Sequence, residues 1–265
     1  FLAHEIDIDI FVLFPRDVPK SIFKSEFINI VLNSFKDYNP IVMYAEHPYV
    51  RLRLDEIEVD IVPAYKLRPG ERPQTAVDRT PLHTQYVLKH LKDHQKDEVR
   101  LLKKFLKTLN IYGAEIKTQG FSGYLCELLV IAYGDFLSVL REASRWRPFR
   151  ICIDIEGHYA SYKDCIGSFE KAPLIVVDPI DPLRNVASAV SLKSLARFIV
   201  AANSFLTNPS IDYFIAPKPK FVEESIEWKI YQELGFLALV LKIPELSPDC
   251  LLYTSPSPRD LSTSR

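Results

Sequence analysis

Ile6-Asp7-Ile8-Asp9-Ile10-Phe11-Val12-Leu13-Phe14 decides how the rest of this sequence is read. Ile6, Ile8, Ile10, Val12 and Phe14 take every second position, and Pro15 stops the run. A period of two is the signature of a half-buried β-strand. The same alternation sends Asp7 and Asp9 out of one face. Aspartate is depleted in strands, and two of them ~6–7 Å apart on one face repel unless something compensates them. A divalent cation reverses that sign. A second acidic run, Ile57-Glu58-Val59-Asp60-Ile61-Val62, stops at Pro63, with Ile57, Val59 and Ile61 on one face and Asp60 on the other. If the two strands are neighbours, three carboxylates converge on one wall of a sheet. Hard oxygen ligands of this kind suit Mg²⁺, which keeps waters and takes its remaining ligands from substrate phosphates. A solvated sheet face carrying ordinary acidic residues is the plain alternative.

Working outward, Ser21 can cap a helix reaching about Phe35, with Ile22, Phe23, Phe27, Ile30 and Val31 inward. Short strands are expected near 41–45 and 49–54, completing a βαβββ unit with a mixed sheet. Leu67 to Thr80 carries Pro69, Gly70 and Pro73 and reads as a linker or surface loop. Helices then dominate, at about 84–92, 97–109, 123–146 and 191–206, with short strands at 151–155 and 174–178. Residues 225–234 and 236–243 suggest one more helix and strand. From Cys250 onward nothing is periodic, and the segment reads as disordered. The fold class expected is α/β (α+β). A mixed-sheet domain spans 1–75, a mostly helical one 76–207 and the start of a third α+β domain 208–249. Residues 250–265 form a tail that looks non-native.

Composition excludes several classes. The 265 residues are 48% hydrophobic and 25% charged, which rules out wholesale disorder. With 33 basic against 34 acidic residues, a globally basic nucleic-acid binder is excluded, though a local basic face is not. No GxGxxG or Walker pattern occurs, which removes the common Rossmann and P-loop readings. The four cysteines contain no CxxC, so a disulfide framework or structural zinc is not expected and a reducing interior is. The most apolar stretch, Phe121 to Leu140, holds Glu127 and Asp135 and does not read as a membrane span. No signal peptide is visible, and the chain starts at Phe1, as if mid-protein.

Arg100, Lys103, Lys104 and Lys107 run beside the apolar stripe of Leu102, Phe105, Leu106 and Leu109. They could hold triphosphate or an RNA backbone, or be lysines in water on an ordinary amphipathic helix. Arg145 and Arg147 flank Trp146, a pattern able to grip phosphates and stack on bases or simply to complement a helix dipole. His47 and His83 sit in proline-flanked turns without a partner at metal spacing and read as structural or exposed. Ser122, in Gly120-Phe121-Ser122-Gly123, lacks the strand–GxSxG–helix context of a hydrolase.

The two acidic strands are followed in order by TAVDRTPLH (Thr75–His83), EVRLLKKFLK (Glu98–Lys107), IYGAEIK (Ile111–Lys117), GFSGYLCELL (Gly120–Leu129) and VVDPIDPLRNVA (Val176–Ala187). This series closely resembles the archaeal, class I CCA-adding enzymes, tRNA nucleotidyltransferases of the polymerase-β-like superfamily. The resemblance implies a palm-like catalytic domain, a mostly helical central domain that binds nucleotide and tRNA, and a tail domain. It implies template-independent addition of C, C and A to the 3′ end of tRNA from CTP and ATP, with two-metal chemistry, release of pyrophosphate and a cytoplasmic location. Carried over by motif, Asp7, Asp9 and Asp60 would bind Mg²⁺. His83, Lys103 and Tyr112 would meet the incoming nucleotide, and Arg184 would lie near its base and the RNA phosphates. Arg100, Lys104, Lys107, Arg145 and Arg147 are candidate RNA contacts. Two departures stand out. The family commonly has Glu where Asp7 stands, and its Gly-Ser motif with a following Arg has no counterpart in the six residues before Asp7. Most of the tail domain is also missing, so an internal fragment of an active enzyme is expected. Another superfamily member, such as a poly(A) polymerase or an oligoadenylate synthetase-like protein, is an alternative, as is a non-catalytic RNA-binding fragment. A homodimer stays open.

Overall fold

The structure is a computed structural model that describes residues 7–44, 47–54, 57–68, 71–169 and 171–215. The chain divides into two compact units, and among the described residues the boundary falls between Ala64 and Tyr65.

In the first unit, strand β1 (Asp7–Phe14) leads into helix α1 (Lys20–Ile22), a π-helical turn (Phe23–Phe27) and helix α2 (Ile28–Ser34). Strands β2 (Ile41–Tyr44), β3 (Pro48–Leu54) and β4 (Ile57–Tyr65) follow, and the sheet order is β1-β4-β3-β2. Strands β2, β3 and β4 form an antiparallel meander in which Val42 faces Val50 and Arg51 faces Asp60. One sheet face is apolar: Val50, Leu52, Val59 and Ile61 pack with Phe27, Ile28 and Val31. The Phe14 ring joins them, with centroids 5.0 Å from Phe23 and 5.8 Å from Phe27. The π turn adds a residue to the helical repeat. That rotates the buried stripe, so Ile28 is inward and Ile30, expected inside, is 64% exposed. β4 also runs on through Pro63, where the sequence suggested a stop. Its register with β3 ends at Val50–Ile61, so that ladder asks no donor of Pro63. The Pro63 carbonyl instead accepts from His47 Nε2 at 2.7 Å.

In the second unit the stretch expected as a loop is organised around Asp78. This buried carboxylate accepts the N–H groups of Tyr65 (2.8 Å), Gln74 (2.8 Å) and Thr75 (2.7 Å). Thr75 and Asp78 form a capping box for the 3₁₀ turn Ala76–Arg79. Helices α3 (Thr80–His90), α4 (Gln95–Thr108), α5 (Gly123–Tyr133), α6 (Phe136–Ala143), α7 (Tyr162–Ser168) and α8 (Leu192–Thr207) follow. Strands β5 (Cys152–Ile153), β6 (Ile175–Asp178) and β7 (Asp181–Asn185) make a second sheet, with β5 parallel and β7 antiparallel to β6. The core is aromatic at its centre, where the Phe105 ring meets Phe136 at 5.5 Å and Phe205 at 5.8 Å.

The single helix expected over 123–146 is two. Gly134, at φ +99, ends α5, and the Asp135 carboxylate accepts the Ser138 N–H (2.7 Å) to start α6. The pair bends by 91°, and among the described residues no single helix is long and apolar enough to cross a membrane. Cys152 and Cys165 form a disulfide with Cα atoms 6.4 Å apart, which corrects the expectation of reduced cysteines. Their 13-residue separation is closed by α7 folding back on β5, a contact that spacing alone does not reveal. Cys126 is free and buried, its thiol pushed up to about 12 by burial. Cys250, the elements expected at 225–243 and the tail lie outside the described residues.

Candidate active site

The acidic wall belongs to the first unit. Phe14 packs on the same apolar cluster as Val59 and Ile61. By strand alternation Asp9, five residues before Phe14, belongs to the face opposite that ring, as Asp60 does on β4. Ile8, Ile10 and Val12, read from the sequence as the buried side, are nevertheless 42%, 46% and 36% exposed, so β1 packs through Phe14 alone among the described alternating residues. Asp9 is exposed on β1, which neighbours β4. Asp60 is half-buried and holds Arg51 bidentately, with Nε to Oδ1 at 2.7 Å and Nη2 to Oδ2 at 2.8 Å. Arg51 also reaches Glu58 at 2.7 Å. Hydrogen bonding to Asp60 raises the guanidinium above its already high value, so it is a permanent cation. The Asp7 backbone opens β1, while its side chain lies outside the described residues. Among the described residues no group of three or more His, Cys, Asp or Glu side chains could hold a metal ion. The donors that are described nevertheless fit Mg²⁺ in kind. They are hard carboxylate oxygens on adjacent strands, and one of them already has a cation against it.

The second unit contains a groove of about 720 Å³ lined by His83, Lys103, Tyr124, Glu127 and Arg184, within the range of small-ligand sites. Three of these, His83, Lys103 and Arg184, come from separate motifs singled out in the sequence. His83 lies on α3 rather than in a turn, and its ring stacks on Tyr124 at 4.1 Å. Lys103 Nζ donates to Glu127 at 2.9 Å. Burial would lower the Lys103 ammonium, but Glu127 outweighs it and the group is held above its ordinary value. Tyr112 stands beside Lys103 over the first residue of α5. A Cβ placed on Gly123 would lie 3.3 Å from the Tyr112 hydroxyl and 3.4 Å from Lys103 Nζ, so glycine there lets both approach. The loop carrying Tyr112 is closed by Phe121 N–H on the Ile111 carbonyl (2.8 Å) and Gly113 N–H on the Phe121 carbonyl (2.8 Å).

Arg184 Nη1 donates to Asp178 Oδ2 at 2.7 Å, and His83 Nε2 meets the same oxygen at 2.8 Å. Asp178 is completely buried. Burial raises its carboxyl, but His83, Arg184 and the Ile180 N–H outweigh that and hold it below the ordinary range. Tyr124, Glu127 and Asp178 were missed in the sequence. The available signal was an apolar strand, Leu174–Val177, ending on an aspartate trapped between it and Pro179.

The remaining basic candidates divide. Arg100 lines the groove and pairs with Asp97. Lys107 lies over the Tyr112 ring at 5.5 Å. Lys104, Arg145 and Arg147 are at least partly exposed, and Arg145 reaches Glu142 at 3.4 Å. His47 is structural, buried against Phe23. Ser122 is the N-cap of α5, accepting the Leu125 N–H at 3.2 Å.

Residues 97–215 match the family model for the second domain of tRNA nucleotidyltransferase, and residues 2–83 match that for the nucleotidyltransferase domain. The CCA-adding enzyme of Saccharolobus islandicus (strain M.14.25) is 44% identical over 253 residues, 96% of this chain.

The chain belongs to the tRNA nucleotidyltransferase family.

Within that family the CCA-adding enzyme of Pyrobaculum aerophilum is 51% identical over 220 residues, 81% of this chain. The chain spans 57% of the length of the Saccharolobus protein and 49% of the Pyrobaculum one. A structure of Cid1 poly(U) polymerase with Mg 3′-dATP superposes with TM-score 0.58 at 16% identity, covering 80% of this chain and 81% of that one. A cytoplasmic RNA terminal U-transferase gives TM-score 0.57 at 15% identity, with 80% and 81% covered. These likenesses show that the tRNA nucleotidyltransferase chain shares its fold with other nucleotidyltransferases.

Proposed function

We propose that this chain carries the carboxylates and the nucleotide groove of an enzyme that adds C, C and A to the 3′ end of tRNA from CTP and ATP. The primer's terminal hydroxyl attacks the α-phosphorus, the α–β bridging bond breaks, and pyrophosphate leaves with the electron pair. The observation that carries the reading is the groove in which His83, Lys103 and Arg184 meet, in a chain 44–51% identical to CCA-adding enzymes. Its donors match a nucleotide's chemistry: an ammonium and a guanidinium for phosphate or base oxygens, and stacked rings for a heterocycle.

Asp7, Asp9 and Asp60 would hold Mg²⁺. When bound, the ion supplies positive charge for the triphosphate and acidifies a hydroxyl. Asp60 would accept the attacking hydroxyl's proton, and Arg51, which holds both its oxygens, would have to release one for that. The enzyme is assigned to the cytoplasm, with tRNA, CTP and ATP as its substrates. Domain limits of 1–75 and 76–207 are part of the same reading.

The test is incorporation of CTP and ATP, offered separately, into tRNA lacking its last three nucleotides. Failure to use CTP at all would sink the reading. Asp9→Ala or Asp60→Ala in the full-length protein is expected to abolish addition while tRNA binding persists. Turnover retained in both variants would refute the carboxylate assignment.

A further inference from the structure

Asp178 lies beneath the groove and is sealed from it, with no exposed surface. One carboxylate oxygen takes both His83 Nε2 (2.8 Å) and Arg184 Nη1 (2.7 Å). The other accepts the Ile180 N–H at 3.1 Å and faces the Tyr124 hydroxyl at 3.5 Å. A buried carboxylate with this many partners is not there for solubility. Each partner aside from Ile180 is also a groove residue.

The carboxylate is aimed by local structure. The register between β6 and β7 shifts at Val177/Asp178, and such irregularities re-aim a strand's side chain. Next to it, Arg79 donates to Asp181 through Nε and Nη2, both at 2.8 Å. Arg79, the last residue of the 3₁₀ turn and the N-cap of α3, stands one helical turn before His83. The β6–β7 hairpin is therefore tied to the start of α3 at two points.

We propose that Asp178 is the positioning residue of this groove, setting the proton on His83 and the orientation of Arg184 for a nucleotide it never touches. The inference rests on the nucleotide reading given above. An ionised carboxylate only accepts, so His83 must carry its proton on Nε2. Nδ1 is then left as an acceptor for a ligand hydroxyl or exocyclic amino group. Arg184, with Nη1 committed, keeps Nε and Nη2 for a phosphate or carbonyl oxygen. One buried charge thus gives the groove an acceptor and a donor pair of fixed geometry.

Asp178→Asn keeps the shape and removes the charge, and its amide can turn a donor toward His83. Long-range ¹H–¹⁵N NMR of this chain, at a pH where the ring is neutral, is expected to find the His83 proton on Nε2. In Asp178→Asn the Nδ1–H form is expected to gain population. CTP and ATP titrated into the variant should bind about tenfold more weakly or worse, the scale of a lost charge-assisted bond. Arg184→Gln should cost less affinity when combined with Asp178→Asn than in the parent, because the two act as one unit. A neutral parent His83 protonated on Nδ1 overturns the proposal without any variant, so a failure of Asp178→Asn to fold does not protect it. A folded variant with parental affinity for both nucleotides overturns it as well. A parent chain that binds neither nucleotide overturns the nucleotide reading, while the ring's proton still decides whether Asp178 orients His83.

Discussion

Lys103 and Asp178 are opposite charges placed in the same predicament. Asp178 is buried and Lys103 half-buried, which penalises the charged form of each, and each keeps its charge because partners outweigh that penalty. The pH consequences have opposite signs. Lys103 is raised, so its stabilisation is complete below the ordinary lysine value near ~10.4 and is lost as pH rises through the folded value. Asp178 is lowered, so its stabilisation is complete above the ordinary aspartate value near ~3.9 and is lost as pH falls through the folded one. Urea denaturation should therefore find parent and Asp178→Asn well separated at neutral pH and converging in acid. A gap that persists below that window would mean the carboxylate is not held by charge. Lys103→Met should leave Glu127 unpaired, costing about 1 kcal/mol given its partial exposure. It should also weaken CTP and ATP binding together; selective loss of one nucleotide would point to base recognition instead.

At the level of elements, backbone geometry settles what periodicity left ambiguous. Residues 123–146 are apolar enough to read as one helix, and the break depends on Gly134 at φ +99. No atom lies within 4 Å of a Cβ built there, so Gly134→Ala meets no clash, only the strain of a left-handed backbone. A loss of about 1–2 kcal/mol in urea melts is expected. A neutral result would show that the turn relaxes. Asp78 makes the complementary case. Its three backbone hydrogen bonds are satisfied by one carboxylate in a stretch that composition marked as a linker. Asp78→Ala should cost about 3 kcal/mol or more, since several buried donors lose their acceptor at once. A near-neutral variant would count against a structured linker. β7 went unread for a related reason. Among the described residues it pairs with β6 alone, and Asp181-Pro182 at its start masks any alternation.

For the molecule as a whole, the second unit has a core of its own and a size typical of independent domains. Residues 65–217 alone are expected to melt cooperatively and to gain thermal stability with CTP or ATP. A non-cooperative melt would mean that this core needs the rest of the chain. The Cys152–Cys165 disulfide closes a short loop inside that unit, and its reduction should remove about 3 kcal/mol. Identical melting curves with and without reductant would show the bond to be dispensable.

Features that depend on near neighbours were legible in the residues alone. Among them are the existence of β1, the buried stripe of α4 and the start of α8 at Ser191, because strand pitch, helix pitch and capping act within a few residues. Which side of β1 is covered was not legible, since Ile8, Ile10 and Val12 are exposed. The π turn that reorders the first helix, the disulfide and the buried anion under the groove emerge only with packing. Asp178 and His83 are 95 positions apart, and each looks ordinary alone. Their meaning is a matter of dielectric and distance, which exist only once the chain has folded.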